Sequence, residues 1–504
     1  MIQITLYIAL FVIKSIDGRT IDQYSHRREQ LIQEEIASSL GGRIVLNNEE
    51  KTANGILMYW KNKEIDESFH NPAYFNFSRH YFTYKKYMET SKVYQIVRKM
   101  PKGAALHVHS SAMLHEDNLL QLTYEDHLYA CYTNNDLSLR FSDTVPVRPC
   151  PVKWSLLTEL RNASGDVTAF DQELKKHLTM YTENVKDFDS DINNVWKRFN
   201  QVYTVVKSLI GYRPVREKFF YAALKNFYND NVMYVEIRSG LHQLHELNGT
   251  LHDKMYLAQL YRDVASKFKE DYPDFQGVKL IMTRHRTVDL NQLREALDVA
   301  RQLKRDMPKM FAGFDLVGQE DLGKPLIDFL PELTKAKNEM DFFFHGGETN
   351  WYGTPTDENL FDAILLGAKR IGHAYALVKH PSLLVSVKQK DIALEVNVIS
   401  NAVLALVRDV RNHPLATYLA LGLPVVLSSD DPGSWGAAPL SHDFYVAFVA
   451  VASKHADLRM LKQLAINSIR YSALNENEKI QSFKMFNHHW NRFIKDIIKH
   501  DKQR

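Results

Sequence analysis

Four short motifs place histidine and acidic residues in patterns that suit metal-dependent hydrolysis. They are, in chain order, His107 and His109 in HVH, His345 and Glu348 in HGGE, His373 in IGH, and Asp430 and Asp431 in SSDDP. Alternate residues of a strand point to one face, so the HVH pair can bind one ion if residues 104–108 are extended. A chain with 21 histidines contains such a pair about once by chance, so the indication comes from the ordered set.

A hydrolytic zinc site needs neutral imidazoles and a carboxylate as ligands, with one position left for water. The residues that meet this requirement are His107, His109, His345 and Asp430. We therefore expect one zinc ion per chain, which would make hydroxide available at neutral pH. His373 follows a neighbouring strand and is predicted to take or hold the proton of the attacking water.

Glu348 comes three residues after His345, where the chain leaves its strand, and is predicted to donate a proton to a ring nitrogen of the substrate. Burial beside another carboxylate, with Asp431 as the expected neighbour, would raise its pKa and keep it protonated. Gly346 and Gly347 are expected to let the backbone approach a ligand closely. Taken singly, a strand-end histidine is more often a hydrogen-bonded core residue, and an Asp-Asp-Pro sequence is more often a helix-capping turn. The joint set favours a metal site.

The elements that must position these residues are short apolar runs alternating with longer helical patterns, which is typical of βα units with a parallel sheet. Eight strands are predicted, at residues 104–108, 232–237, 278–282, 311–316, 342–344, 370–372, 392–396 and 424–427. The predicted fold class is α/β, a (β/α)8 TIM-type barrel. Every motif lies at the carboxyl end of such a strand, where barrels of this kind carry their active sites.

The domain organisation follows from the spacing of these strands. Residues 100–113 and 231–504 are assigned to the catalytic barrel, and residues 19–99 to an N-terminal helical segment. Residues 114–230 exceed the length of one barrel connection and are predicted to be an insertion with return helices near 195–209 and 216–228. Cys131 and Cys150, the chain's two cysteines, could close one disulfide within it.

An apolar run at residues 2–13 resembles the hydrophobic part of a secretory signal, so residues 1–18 are predicted to be a signal peptide and the protein to be secreted. The alternative is a buried N-terminal strand or helix. The run is too short to span a membrane. Glycosylation sequons at Asn76, Asn162 and Asn248 are compatible with export. The net charge of only +3 disfavours a nucleic-acid partner.

These motifs together resemble the adenosine deaminase growth factor family, the secreted branch of the adenosine deaminases. The resemblance covers nearly the whole chain, through MPKGAALHVH, NVMYVEIR, GFDLVGQED, FFHGGETNW, RIGHAYAL, RNHP and SSDDP. It implies a barrel of the metal-dependent amidohydrolase kind and hydrolysis of adenosine and 2′-deoxyadenosine to inosine or deoxyinosine plus ammonia. It also implies growth-promoting activity through removal of extracellular adenosine.

Carried over from the resemblance, the zinc ligands are the four named above, Glu348 is the donor to purine N1, and His373 is the partner of the attacking water. Gly318 and Asp431 would hold the base, through N3 and N7. The residues expected near the ribose are Trp196, His285 and Trp351. The resemblance further implies a homodimer built partly from the N-terminal segment, a disulfide between the two cysteines, and an insertion that contacts a receptor or glycan.

The chain departs from the family pattern at several positions. Ser110 stands where relatives commonly have Asp, which is expected to shift specificity without abolishing activity. The other departures are Gly346 for Ala, Asn350 for Asp, and Asn397 and Val398 for Cys-Pro. Two alternatives stay open: a noncatalytic extracellular growth factor acting through the insertion, and a deaminase of adenine, AMP or a modified purine. AMP is disfavoured because Arg284 and Arg286 are the only basic residues near the motifs that could hold a phosphate.

Overall fold

The computed structural model describes residues 21–71, 76–133, 136–185 and 191–502. The predicted signal peptide lies outside these residues. The part of the chain before the barrel forms four helices, α1 (Ile21–Ser38), α2 (Asn48–His70), α3 (Tyr81–Thr90) and α4 (Lys92–Lys99). Helix α2 begins with a capping box, in which Asn47 and Glu50 each accept a hydrogen bond from the other's backbone amide. The helical character predicted for this segment is confirmed.

The strands, numbered in chain order, are β1 (Gly103–His109), β2 (Leu128–Tyr132), β3 (Leu137–Phe141), β4 (Ser155–Leu156), β5 (Val232–Ser239), β6 (Leu244–His245), β7 (Leu251–His252), β8 (Gly277–His285), β9 (Phe311–Val317), β10 (His345–Gly346), β11 (Arg370–His373), β12 (Ala393–Val396) and β13 (Val425–Leu427). The later helices are α5 (Glu116–Leu122), α6 (Leu157–Ala163), α7 (Val167–Lys175), α8 (Ile192–Leu209), α9 (Arg213–Asn229), α10 (Lys254–Asp271), α11 (Leu290–Asp306), α12 (Leu330–Ala336), α13 (Pro355–Leu366), α14 (Pro381–Gln389), α15 (Val398–Val403), α16 (Leu415–Ala420), α17 (Ser441–Val446), α18 (Leu458–Arg470) and α19 (Glu476–Lys502).

Eight of the strands form a closed parallel barrel. Strands β1, β5, β8 and β9 pair in that order, and β10, β11, β12 and β13 form a second run. Parallel bridges join the two runs, between Phe314 and Phe342 on one side and between Val108 and Asp430 on the other. The strands are buried almost throughout, as parallel strands covered by helices must be. The predicted (β/α)8 fold is confirmed.

The fifth barrel strand differs from the prediction in its bounds. Residues 342–344 were expected to pair regularly, but only Phe342 forms a bridge, and the regular strand begins at His345. Phe343 donates its amide to the carbonyl of Phe314 at 3.0 Å, and the Phe344 carbonyl accepts from Gly372 at 2.8 Å. The segment therefore changes partners within three residues, which interrupts the ladder while keeping each of these backbone groups bonded.

The segment between β1 and β5 contains a small antiparallel sheet in the order β3, β2, β4. Cys131 and Cys150 form a disulfide, with Cα atoms 5.9 Å apart. Helices α8 and α9 then lead back to β5, slightly longer than predicted.

The barrel helices are held by apolar stripes facing the strands. Helix α11 starts at a capping box made by Asp289 and Gln292 and buries a stripe from Leu293 to Leu303 against β8 and β9. No helix within the described residues is long and apolar enough to cross a membrane.

Candidate active site

The predicted metal-binding residues converge at the carboxyl end of the barrel. His107 and His109 lie at the end of β1, His345 opens β10, and Asp430 follows β13. The rings of His107 and His345 are 4.6 Å apart between centroids. Asp430 Oδ1 lies 3.4 Å from His107 Nε2 and 3.1 Å from His109 Nε2. Side chains from strands far apart in the chain thus point their ligand atoms at one small volume.

His373 also belongs to this cluster. Its ligand atom, with those of His107, His345 and Asp430, lies in a group spanning no more than 4.8 Å. His109 falls in a second group with Asp430 and Asp431, so the two groups share Asp430. The sequence analysis predicted that His109 is a zinc ligand and that His373 takes or holds the proton of the attacking water. All five side chains meet at one site, and the division of roles between these two histidines stays a prediction.

The donors of the cluster fit a divalent metal ion. His107 Nε2 and Asp430 Oδ1 are buried and make no hydrogen bond within the described residues, so both lone pairs are free. Burial lowers the pKa of His345 to about 4 and holds that of His373 well below its usual value, which keeps both imidazoles neutral. Neutral imidazoles with one carboxylate are the donor set of zinc sites. The cluster is a buried metal site.

Two of the histidines are oriented by carboxylates behind them. His107 Nδ1 lies 2.7 Å from Glu395 Oε2, and His345 Nδ1 lies 2.7 Å from Asp315 Oδ2. Both carboxylates are fully buried and both pair with Arg238, at 2.6 Å and 2.8 Å. Because a carboxylate at Nδ1 fixes the proton there, Nε2 of each ring is left as the ligand atom.

Asp430 and His373 are held from the helix that follows β12. Ser400 donates its hydroxyl hydrogen to Asp430 Oδ2 at 2.7 Å, and the Asn401 amide nitrogen lies 3.1 Å from His373 Nδ1. Both held residues have positive φ, 61° in each case, and Ala374 beside His373 has φ 48°. Non-glycine residues in this region are strained, and such strain persists where the surroundings fix the backbone.

Glu348 is buried in the same pocket with 5% of its surface exposed. Its Oε1 atom lies 3.3 Å from His373 Nδ1, and its backbone amide donates to Glu320 at 3.0 Å. Burial raises the pKa of its carboxyl well above the usual value, and the charges of Asp430 and Glu320 raise it further. The shift favours the protonated acid, which is the state a proton donor needs.

Asp431 is the neighbour predicted to raise the pKa of Glu348. The pKa of Asp431 is raised well above the usual value by burial and by the adjacent charge of Asp430. Contacts to His107 and His109 outweigh burial at Asp430 and lower its pKa. The carboxylates that raise the pKa of Glu348 most are Asp430 and Glu320, and Glu348 in turn raises the pKa of Asp431. Asp431 is therefore a carboxylate neighbour of Glu348, as predicted, although other carboxylates have the larger effect on Glu348.

The remaining predicted substrate contacts differ in how near they lie. Gly318 has φ 100°, and a Cβ there would meet His285 Nε2 at 2.3 Å, so these two residues are in direct contact. Trp196 on α8 is buried with 8% of its surface exposed and packs edge-on against Phe199. Trp351 is 63% exposed on the rim. No described contact joins Trp351 to the buried cluster.

The two glycines of HGGE serve packing. A Cβ on Gly347 would lie 2.9 Å from Leu360 of α13, and one on Gly346 would lie 3.3 Å from Ile371. The chain therefore approaches α13 and β11 closely at both glycines. The expectation that they also let the backbone approach a ligand closely stays a prediction.

Several residues of the site were missed by sequence reasoning, namely Glu395, Asp315, Arg238, Ser400, Asn401 and Glu320. Some left a signal. Asp315 and Glu395 interrupt strands that are otherwise apolar, and a charged residue inside such a strand needs a buried partner. Ser400 and Asn401 are ordinary polar residues after a strand, with no pattern that distinguishes them.

Comparison with known proteins assigns the chain to a family. The family model described as adenosine deaminase matches residues 169–484, and one described as adenosine/AMP deaminase N-terminal matches residues 5–97. The chain belongs to the adenosine deaminase family. It is 42% identical to adenosine deaminase 2 of Sus scrofa over 94% of both chains. It is also 41% identical to adenosine deaminase 2 of Homo sapiens, over 97% of both chains, and to an adenosine deaminase of Lutzomyia longipalpis, over 94% and 93%.

Solved structures agree on the fold of this adenosine deaminase family member. The N6-mAMP deaminase MAPDA of arabidopsis aligns with a TM-score of 0.56 at 19% identity, covering 78% of this chain and 99% of that one. An adenine deaminase from Arthrobacter aurescens aligns with a TM-score of 0.54, covering 77% and 98%. The chain is thus a hydrolase of the adenosine deaminase 2 kind with an amidohydrolase-type fold and a buried metal site.

Proposed function

We propose that the protein is a secreted, zinc-dependent adenosine deaminase that hydrolyses adenosine and 2′-deoxyadenosine to inosine and deoxyinosine with release of ammonia. The carrying observation is the pairing of a buried cluster of histidines around Asp430 with Glu348, a buried acid of raised pKa whose Oε1 lies 3.3 Å from His373 Nδ1. Metal ligands and a proton donor within one pocket are what hydrolytic deamination of a purine requires. Membership of the family supports the choice of substrate.

In this proposal the chain's own residues bind and orient the purine and move protons. Zinc, one ion per chain, supplies a Lewis acid that makes hydroxide available at neutral pH. Glu348 donates a proton to purine N1, which makes C6 a better electrophile. Asp431, kept protonated by its raised pKa, donates to N7, and the Gly318 amide donates to N3. His373 and Asp430 hold the water's proton during attack.

The proposed function is tested by comparing substrates directly. Purified, zinc-loaded protein is expected to convert adenosine and 2′-deoxyadenosine and to leave adenine unchanged. The loss of the substrate's absorbance measures each conversion. Absence of adenosine turnover by metal-replete protein between pH 5 and 8 would overturn the proposal. Turnover of adenine in preference to adenosine would instead favour the alternative of another purine substrate.

Secretion is supported by two features besides the apolar leader. The disulfide between Cys131 and Cys150 is of the kind that persists in oxidising compartments. The sequon residues Asn162 and Asn248 are exposed and can carry glycans, whereas Asn76 is half-buried. Recovery of the protein from the culture medium tests secretion, and loss of mass when that protein is deglycosylated tests whether the sequons carry glycans.

A homodimer through the N-terminal segment is supported by helix α1, which has no buried residue. Ile21, Tyr24 and Leu31 on this helix expose 83%, 65% and 51% of their surfaces. Exposed apolar residues on one helix suit an isologous contact. The dimer predicts that Leu31→Glu lowers the molecular mass in solution to that of one chain, while Glu29→Gln on the same helix leaves it unchanged.

Growth-promoting activity is proposed to follow from removal of extracellular adenosine. The rival is a noncatalytic factor whose insertion, residues 114–230, contacts a receptor or glycan. Glu348→Gln distinguishes the two, because loss of catalysis abolishes the growth effect in the first case and leaves it intact in the second.

A further inference from the structure

A second cavity of about 680 Å³ opens beside the metal site at the carboxyl ends of β1, β5 and β8. Ser110 and Ser111 form part of its wall directly after the second metal-site histidine. Basic and polar side chains complete it, namely Lys207 and Tyr203 from α8, His242 after β5, and Arg284 and His285 from the end of β8. Most of these side chains can donate hydrogen bonds into the cavity.

The cations of this cavity have no anionic partner. Within the described residues, neither Lys207 nor Arg284 forms an ion pair, and the same holds for Arg216, which lies below the wall and is fully buried. Arg216 donates to the Ser110 carbonyl at 3.4 Å and to the Tyr261 hydroxyl at 2.5 Å, both uncharged. The one carboxylate in the lining, Asp253, caps helix α10. Lys207 and Arg284 therefore face this space without an ion-pair partner, with Arg216 behind its wall, and Asp253 is the single carboxylate among the lining residues.

Unused donors point to the same conclusion. Arg284 Nε and His242 Nε2 are buried and without a hydrogen-bond partner in the described structure, as is Arg216 Nε. Buried donors are rarely left unpaired without a ligand or water to satisfy them. Burial lowers the pKa of Lys207, and the charges of Arg216 and Arg284 lower it further, which places the three cations within electrostatic reach of one another.

This cavity adjoins the space assigned to the nucleoside. Tyr203 hydrogen-bonds Ser111 and lies within electrostatic reach of Asp431. On the other side, His285 contacts Gly318. The basic cavity thus begins where the residues expected around the base and ribose end. Ser110 matters here, because a carboxylate at that position, common in the family, would repel an anion and Ser does not.

We propose that this cavity binds a phosphate monoester on the ribose of the substrate, so that the enzyme deaminates purine nucleoside 5′-monophosphates in addition to nucleosides. The inference rests on the proposed function and names a further substrate class for the same site. Water replaces the 6-amino group, which leaves as ammonia, and the phosphate is unchanged. Arg and Lys are the side chains that recognise phosphate, and two or three of them match its charge of about −2.

This inference reverses the sequence-based argument against AMP. That argument found only Arg284 and Arg286 near the motifs. The structure brings Lys207 and Arg216 to the barrel mouth from helices α8 and α9, whereas Arg286 turns away to donate to the carbonyls of Leu316 and His345. Residues far from the motifs in the chain supply the missing charge.

The test compares kcat/KM for AMP and adenosine in the zinc-loaded enzyme and in a Lys207→Gln, Arg284→Gln double variant. The wild type is expected to convert both substrates, and the double variant to lower the ratio of AMP to adenosine kcat/KM at least tenfold. Lys337→Gln removes one of the same kind of charge in a different cavity, away from the metal site, and is expected to keep the ratio within twofold. Equilibrium binding of AMP to Glu348→Gln, with and without the double substitution, gives a readout free of turnover.

The outcomes separate this inference from the proposed function. Adenosine turnover without AMP turnover, or an AMP ratio unchanged in the double variant, overturns the phosphate subsite and leaves the deaminase intact. Inorganic phosphate is expected to compete with AMP. If it alters adenosine turnover in an enzyme that does not convert AMP, the cavity binds a free anion and the inference is wrong. If neither substrate is converted, the proposed function itself fails.

Discussion

The pKa values of three neighbouring buried carboxyl groups are shifted in different directions at this site. Asp430 has a pKa held well below the usual value by its histidine contacts, against the effect of burial, while burial raises those of Glu348 and Asp431. Each ionised group makes ionisation of the next one costlier, so the arrangement favours one carboxylate beside two neutral acids. This division suits the roles proposed for them, Asp430 as a metal ligand and the other two as hydrogen donors, because environment can assign different roles to like groups.

The proposed proton donor, Glu348, is the first residue to test. Glu348→Gln removes the transferable proton while keeping a neutral side chain of similar shape, so kcat for adenosine is expected to fall by about 100- to 10,000-fold. The thermal unfolding temperature is expected not to fall, because burial already favours the neutral form of the native side chain. Glu358→Gln, an exposed change on α13, serves as the matched control. A loss of activity below tenfold in a folded variant would remove Glu348 from its role.

Ser400 is a positioning residue for the metal site. Its hydroxyl holds Asp430 Oδ2 at 2.7 Å, and Ser400→Ala is expected to weaken zinc binding by about tenfold or more. The measurement is zinc affinity by competition with a chelator. Ser266→Ala, on an exposed face of α10 and bonded only to its own helix, is expected to have no effect. Equal zinc affinity in both variants would contradict the positioning role, and Ser400→Thr should restore the wild-type value.

At the scale of elements, strand ends and the segments after them carry the site. The ends of β1, β10 and β11, and the turn after β13, were predictable because apolar runs stop where polar motifs begin. The polar residues inside β9 and β12 were not assigned roles, because only the closed barrel shows that Asp315 and Glu395 reach a histidine on another strand. Register between distant strands is fixed by packing of the whole barrel.

Helix α2 contributes a titratable contact outside the site. Lys61 is fully buried and donates to the carbonyls of Ser453 and Ala456 at 2.9 and 2.6 Å, and burial lowers its pKa to about 7. Between about pH 7 and 10 the unfolded chain therefore binds more protons at this residue than the folded chain does. Folding stability contributed by Lys61 must then rise with pH across that window.

Comparison with Lys61→Met isolates this effect from other titrations. The free energy of unfolding of the wild type relative to the variant is expected to increase by about 2 kcal/mol from pH 7 to pH 9. Denaturant unfolding at the two pH values measures it. Lys51→Met, exposed on the same helix, is the control. A difference between wild type and Lys61→Met that stays constant with pH would show that Lys61 is charged in the folded protein.

For the molecule as a whole, the barrel and the metal cluster follow from sequence patterns, and the electrostatics around them do not. The basic cavity illustrates the limit. Ser110 was a recognisable departure, but Lys207 and Arg216 come near it only because the fold packs α8 and α9 beside the end of β1. Helix contacts over long sequence distances are set by tertiary packing, which local periodicity does not encode.

The whole account depends on a metal ion held where the strand ends meet. Elemental analysis of purified protein after exposure to zinc and removal of loose metal is the most direct measurement. The account predicts one zinc per chain, loss of adenosine turnover when a chelator removes it, and recovery on adding zinc back. A protein that turns over adenosine at full rate with no bound metal would contradict it.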